Sequence, residues 1–197
     1  MKKHSFLLPT IIAALALATL PGCSTNVQGD SASPVFCFGN FQLLPLTVNV
    51  ASNAPVQFTN TILNCRVKNS SLTSLQFLDT QIDQYTVVWS RLDGGTKVSP
   101  TQTFGGNVVV PPNGNASLSN YPYMSADSLI RPPLDQLFPF NGGIDKETGR
   151  SEIRQAGRVT WYGHTLSGQA VVSDVATFDL IFVYSAAAGR IELKRAK

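Results

Sequence analysis

Charge is scarce in this chain of 197 residues: Asp, Glu, Lys and Arg make up 14% of it, and the formal net charge is +3. Setting aside Lys2 and Lys3, which belong to a leading segment treated below, lowers that charge to +1. A balance so close to neutral lacks the basic face that nucleic acid requires, so no nucleic-acid partner is expected. Histidine is rarer still, with only His4 and His164. Any Ser-His-Asp site in the body of the chain would have to use His164, and no G-x-S-x-G elbow presents a serine to it. No glycine-rich loop follows a strand and opens a helix, which removes the phosphate cradle of nucleotide-binding proteins. Three cysteines and so few histidines supply no recognisable zinc set. Neither a metal nor another cofactor is expected. No stretch carries the apolar stripe of a long helix.

Low charge does not make the chain disordered, because 43% of its residues are apolar and can form a core. One domain of this size buries about 70% of the surface its unfolded chain exposes.

The first two dozen residues stand apart. Lys2 and Lys3 precede Phe6 to Leu20, a nearly unbroken apolar run that ends in Pro21-Gly22-Cys23. That order is the charged n-region and apolar h-region of an export signal. As a helix the run covers about 22 Å, short of the roughly 30 Å hydrocarbon core, and Pro9 interrupts it, so a permanent transmembrane helix fits less well. Leu20-Pro21-Gly22-Cys23 resembles the lipobox of bacterial lipoproteins, with proline at a position where the family usually has a small or β-branched residue. The resemblance implies that residues 1–22 are a signal peptide, that Cys23 is the lipidation site, and that the mature protein meets a membrane through its N-terminal acyl chains. Ser24, rather than Asp, after the cysteine implies sorting to the outer membrane of the cell envelope. The competing reading is ordinary cleavage after Ala14-Leu15-Ala16 or Ala16-Leu17-Ala18. In an oxidising compartment ordinary cleavage leaves an odd thiol, whereas acylation of Cys23 leaves Cys37 and Cys65 to pair. That disulfide would close a loop of about 29 residues and stabilise by roughly 3 to 4 kcal/mol on the chain-entropy model. Two buried free thiols are the alternative.

Residues 23–34 contain the polar, aperiodic run Ser24 to Ser33 and read as a flexible tether spanning roughly 15 to 20 Å. From residue 35 to 187 the pattern is β. Tyr85, Val87 and Trp89 alternate with Thr86, Val88 and Ser90, and Asp93-Gly94-Gly95 then marks a turn. Val159 and Trp161 alternate in a strand that stops at Gly163. Phe178, Leu180, Phe182 and Tyr184 alternate in a strand whose second face also turns apolar, as in a central strand. Further strands are predicted at Leu46 to Val50, Thr61 to Lys68, Asn107 to Val110, Ala116 to Ser119 and Ala170 to Ser173. Helical turns fit Ala126 to Ile130, capped by Ser125, and Leu134 to Leu137, opened by Pro133. The fold class is therefore all-β, an antiparallel β-sandwich of seven to nine strands. With its tyrosine-x-valine-x-tryptophan strand it looks like an immunoglobulin or fibronectin type III module, although no cysteine follows Trp89. Such a likeness carries fold and not function.

Four places are candidates for function. Asn120 to Gly143 is long for a connection and stiffened by Pro122, Pro132, Pro133 and Pro139, with Pro112 at its approach. Its Tyr121, Tyr123, Phe138 and Phe140 either form a contact surface or fold back over the open end of the core. Asp145-Lys146-Glu147-Thr148-Gly149 reads as a solvated hairpin tip or, with fewer ligands than an EF-hand, a calcium loop. Asp79 and Asp83 would make an acid and base pair if the fold set them across a cleft. The basic tail 188–197, with Arg190, Lys194, Arg195 and Lys197, either touches anionic lipid or polysaccharide or is simply solvated. The leading expectation is a non-catalytic, membrane-anchored envelope lipoprotein that binds or spaces an envelope protein or polysaccharide. The alternatives are an envelope hydrolase or carbohydrate-active accessory domain using carboxylates, and a carrier of apolar ligands with a cavity between its sheets.

Overall fold

Strands dominate the described residues, which are 33–41, 46–69, 71 and 76–186 of a computed structural model. Cys23, the leading segment, most of the tether and the tail 188–197 lie outside them. In chain order the strands are β1 (Val35–Phe41), β2 (Leu46–Asn49), β3 (Val56–Gln57), β4 (Thr61–Val67), β5 (Thr80–Arg91), β6 (Gln102–Val110), β7 (Gly114–Leu118), β8 (Pro122–Met124), β9 (Glu152–Thr165), β10 (Ala170–Val172) and β11 (Ala176–Val183). That is more than the seven to nine expected. β3 and β8 are two and three residues long, too short for alternation to reveal them.

The strands form a sheet ordered β1-β4-β7, a larger one ordered β2-β11-β9-β5-β6 with β10 also beside β9, and the small pair β3-β8. Every pairing is antiparallel except β2 with β11, which is parallel. The larger sheet, with its hairpin-linked neighbours and a parallel edge strand, has an order similar to that of immunoglobulin-like sandwiches. Its central ladder is β5 against β9, twelve and fourteen residues long.

Alternation explains which side chains meet. Tyr85, Val87 and Trp89 are buried, as the period of two requires, while Val88 is exposed. Ile82 also points inward, three positions before Tyr85, because a bulge between Ile82 and Gln84 resets the parity of β5. Across the ladder Ile153, Val159 and Trp161 face the same core, joined by Phe178, Leu180 and Phe182 of β11. From the smaller sheet come Val35, Cys37, Leu63, Cys65 and Leu118. β9 runs past Gly163 to Thr165 and begins well before Arg158. Its first half escapes alternation because Gln155 is buried among apolar neighbours, where its amide exchanges hydrogen bonds of 3.1 Å with the backbone N–H and hydroxyl of Ser99.

Cys37 and Cys65 stand opposite each other in the β1-β4 register and are joined by a disulfide. The bridge links neighbours within one sheet, unlike the inter-sheet bridge of antibody domains. The two sheets meet again at the corner between β10 and β11. There Asp174 donates its N–H to the Cys37 carbonyl at 2.8 Å, and the Ser173 hydroxyl accepts from the Trp161 N–H at 2.9 Å. The helical turns fall where predicted, as α1 (Ala126–Leu129) and a 3-10 turn at Leu134–Leu137, but Ser125 does not cap α1. Its side chain is held by Gln102 and Ser128 instead.

Gly39 of β1 lies flat against the indole of Trp161, so that a Cβ there would overlap the ring. We expect Gly39→Ala to destabilise by about 1 to 3 kcal/mol through overpacking. A urea midpoint that does not move would contradict this packing.

Candidate functional site

Within the acidic stretch 145–149, Lys146, Glu147 and Gly149 are exposed, as at a solvated tip, but Asp145 is withdrawn and its carboxylate is engaged by Arg91. Asp145 is fully buried. Arg91 ends β5 and turns its guanidinium into the protein, with its side chain only 2% exposed. Its Nε donates to Asp93 Oδ1 at 2.7 Å, Nη2 to Asp145 Oδ2 at 2.5 Å and Nη1 to the Lys97 carbonyl at 3.0 Å. Glu147 stands 3.6 Å from Nη1. The remaining oxygen capacity is filled by other donors. Asp93 accepts from the N–H of Gly95 and Arg154, Asp145 from the Thr148 hydroxyl and Glu147 N–H, and Glu147 from Thr96 and Lys97. A planar cation with five donors suits this convergence of carboxylates, which a lysine could not reproduce.

The cluster's electrostatics follow from these contacts. Burial by itself raises the Asp93 carboxyl, but the Arg91 hydrogen bond, the Arg154 and Gly95 N–H groups and the Arg91 charge outweigh it and hold it at about 2. Glu147 is held at about 2 by the Lys97 N–H, then the Thr96 hydroxyl and N–H, with a lesser pull from Arg91. Asp145 is likewise lowered: burial opposes, while Thr148, Arg91 and the Glu147 N–H prevail. Burial lowers the Arg91 guanidinium, and Asp93 and Asp145 more than reverse this. The geometry is that of a clamp joining the end of β5 to the 145–149 loop.

The aromatic connection divides. Tyr123 and Met124 are buried, as are Leu129, Leu134 and Leu137 beyond them, so most of the loop closes the core. The Tyr123 ring lies 5.0 Å from both Phe58, tilted, and Phe178, edge-on, and the Tyr85 hydroxyl donates to the Pro122 carbonyl at 2.5 Å. Tyr121 and Phe138 are partly buried against the core. Of the four aromatics that could form a contact surface or fold back over the core, Phe140 alone is open, at 80% exposed. The others are withdrawn because the sheets leave an apolar end that needs covering, and these side chains supply the cover.

The bulge in β5 has a chemical consequence. It turns Asp83 outward beside β9, where its Oδ2 lies 2.8 Å from His164 Nδ1, both side chains being about half exposed. Gly163 permits this approach, since a Cβ there would overlap the Gln81 carbonyl. No local pattern marks Asp83 and His164 as partners, because the bulge sets their register. Asp79 makes no hydrogen bond or ion pair through its side chain with either of them. No hydroxyl or thiol nucleophile is hydrogen-bonded to His164 among the described residues.

A shallow cleft of about 340 Å³, mouth included, is lined by Phe41, Leu46, Phe58, Tyr123, Phe178 and Leu180. Its enclosed part holds only a few waters' worth of space. Among the described residues no group of three or more His, Cys, Asp or Glu converges as metal ligands, and no helix is long and apolar enough to cross a membrane. No protein-family model, curated protein or solved structure matches the chain.

The clamp sets a pH dependence. Asp93, Asp145 and Glu147 are depressed in the folded protein, so their contribution is complete above the ordinary carboxylate range near pH 4 and is lost as pH falls toward about 2. We expect the urea midpoint to drop between about pH 5 and about pH 2. Arg91→Ala should cost about 3 to 5 kcal/mol at neutral pH, by stranding buried carboxylates, and should flatten that slope. An unchanged slope in the variant would remove Arg91 from this role.

Proposed function

We propose that this protein is a lipid-anchored component of the bacterial cell envelope, exported by residues 1–22, acylated at Cys23 and sorted to the outer membrane. Its β-sandwich serves there as a non-catalytic binding or spacing domain for another envelope protein or a polysaccharide. One observation carries the reading. The Cys37–Cys65 bridge consumes two of the three cysteines and leaves the third, Cys23, in Leu20-Pro21-Gly22-Cys23. A bridge between neighbouring strands is at home in an oxidising compartment, and a lone thiol there is best accounted for by modification. Acyl chains contribute about 0.8 kcal/mol per buried CH₂, and two chains already anchor stably.

A second reading, an envelope hydrolase or carbohydrate-active accessory domain, is favoured by the Asp83–His164 pair. An imidazole oriented by a carboxylate is two thirds of a catalytic triad. Among the described residues no third member is hydrogen-bonded to the pair, which is why the non-catalytic reading is preferred.

Metabolic labelling with a palmitate analogue tests the proposal. The wild-type protein should carry label and stay with the membrane fraction, and Cys23→Ala should lose both properties. A wild-type chain that is exported but unlabelled would overturn it. His164→Ala should leave the protein's envelope phenotype unchanged, and a substrate turned over by the wild type but not by this variant would favour the hydrolase.

A further inference from the structure

The lipid-anchor reading, on which this inference rests, gives one end of the sandwich a partner. Val35 pairs with Val67 and Cys65 with Gly114, so β1 starts where β4 finishes and β7 begins. Val110 pairs with Thr80 and Thr80 with Thr165, which puts the finish of β6, the start of β5 and the finish of β9 at one level of the larger sheet. The short link 111–113 joins β6 to β7, and both levels therefore belong to the same end of the molecule.

The chain joins the domain at that end. Pro34 accepts the Lys68 N–H at 2.8 Å. The same end carries two of the most exposed apolar side chains, Phe77 at 63% and Leu166 at 57%. Their backbones lie side by side, Ser167 donating to the Phe77 carbonyl at 3.1 Å and Leu166 to that of Asp79 at 2.9 Å. They are thus presented together at the tip of the central ladder. The opposite end holds the Arg91 clamp, the Phe138–Tyr184 pair and exposed Phe140.

We propose that the end bearing Phe77 and Leu166 rests on the bilayer, with both side chains seated at the boundary of head groups and acyl chains. Chain length decides between the two ends. Cys23 stands ten residues before Ser33, a contour of at most about 35 Å. The twelve residues of β5 span about 37 Å, so turning the opposite end onto the membrane would take essentially the whole contour of those ten residues, whereas the near end takes little of it. Anchoring also makes contact intramolecular, so two apolar side chains suffice where they could not hold a free protein. Charge at this end is mixed, with Asp79 between the two in the fold and exposed Arg66 and Lys68 at the finish of β4. The contact proposed is the apolar one made by Phe77 and Leu166, for which zwitterionic head groups suffice.

The test uses the whole protein isolated from native membranes and returned to phosphatidylcholine vesicles doped with a diazirine-bearing phosphatidylcholine. After illumination and digestion, peptides containing Phe77 and Leu166 should carry lipid adducts about tenfold more often than the peptide containing Phe140, without change in high salt. Adducts spread evenly, concentrated on Phe140, or absent from Phe77 and Leu166 would overturn the orientation. The same digest reports Cys23: if it is acylated and the adducts are missing, this inference fails alone, whereas an unacylated Cys23 removes the anchor reading with it.

Discussion

The antiparallel ladder of β5 on β9 is the constraint on which the rest of the structure depends. Its inner face supplies Ile82, Tyr85, Val87, Trp89, Val159 and Trp161 to the core. Its two ends carry the features with chemical character. At one end Arg91 leaves the last position of β5 and gathers three carboxylates from two loops. At the other, the β9–β10 hairpin lies beside residues 77–79 and lifts Phe77 and Leu166 into solvent. Between them a single bulge sets the parity of β5 and delivers Asp83 to His164. A one-residue slip in this ladder would turn every one of these side chains to the wrong face.

Smaller contacts fasten the second sheet to that ladder. The Cys37–Cys65 bridge holds β1 on β4, and the Cys37 carbonyl also accepts from Asp174 at the β10–β11 corner. Gly39 then brings the β1 backbone onto the Trp161 ring. The first strand of the domain is thereby secured by a covalent bond, a hydrogen bond across the sheets and a close ring contact.

Much of this was legible in the sequence where one physical rule acts locally. The alternation of Tyr85, Val87 and Trp89, and of Phe178, Leu180 and Phe182, identified strands and their inward faces because burial of one sheet face imposes a period of two. Cysteine parity pointed to the pairing of Cys37 with Cys65. Legibility failed where the outcome depends on distant chain. Asp145 meets Arg91 across 54 positions, so its stretch read as a loop of solvated or metal-binding carboxylates. Gln155 broke the apolar pattern of β9, and only its partner Ser99 explains its burial. Tyr123 and Phe140 are both aromatic and both flanked by proline in one connection, yet one fills the core and the other is open. Nothing local distinguishes them, since the choice follows from which part of the loop crosses the open end of the sandwich.

The proposed function joins a leading segment read from sequence to a domain with a complete core and an Asp83–His164 pair that has no nucleophile hydrogen-bonded to it among the described residues. Its central claim is that the three cysteines have two fates: two joined to each other and one joined to lipid. Intact-mass spectrometry under non-reducing conditions, on protein extracted from its native membrane, measures both at once. The account predicts a chain starting at Cys23, heavier by its acyl groups and lighter by the two hydrogens of one disulfide. A chain that starts elsewhere and carries no fatty acid, with Cys37 and Cys65 reduced, would contradict it.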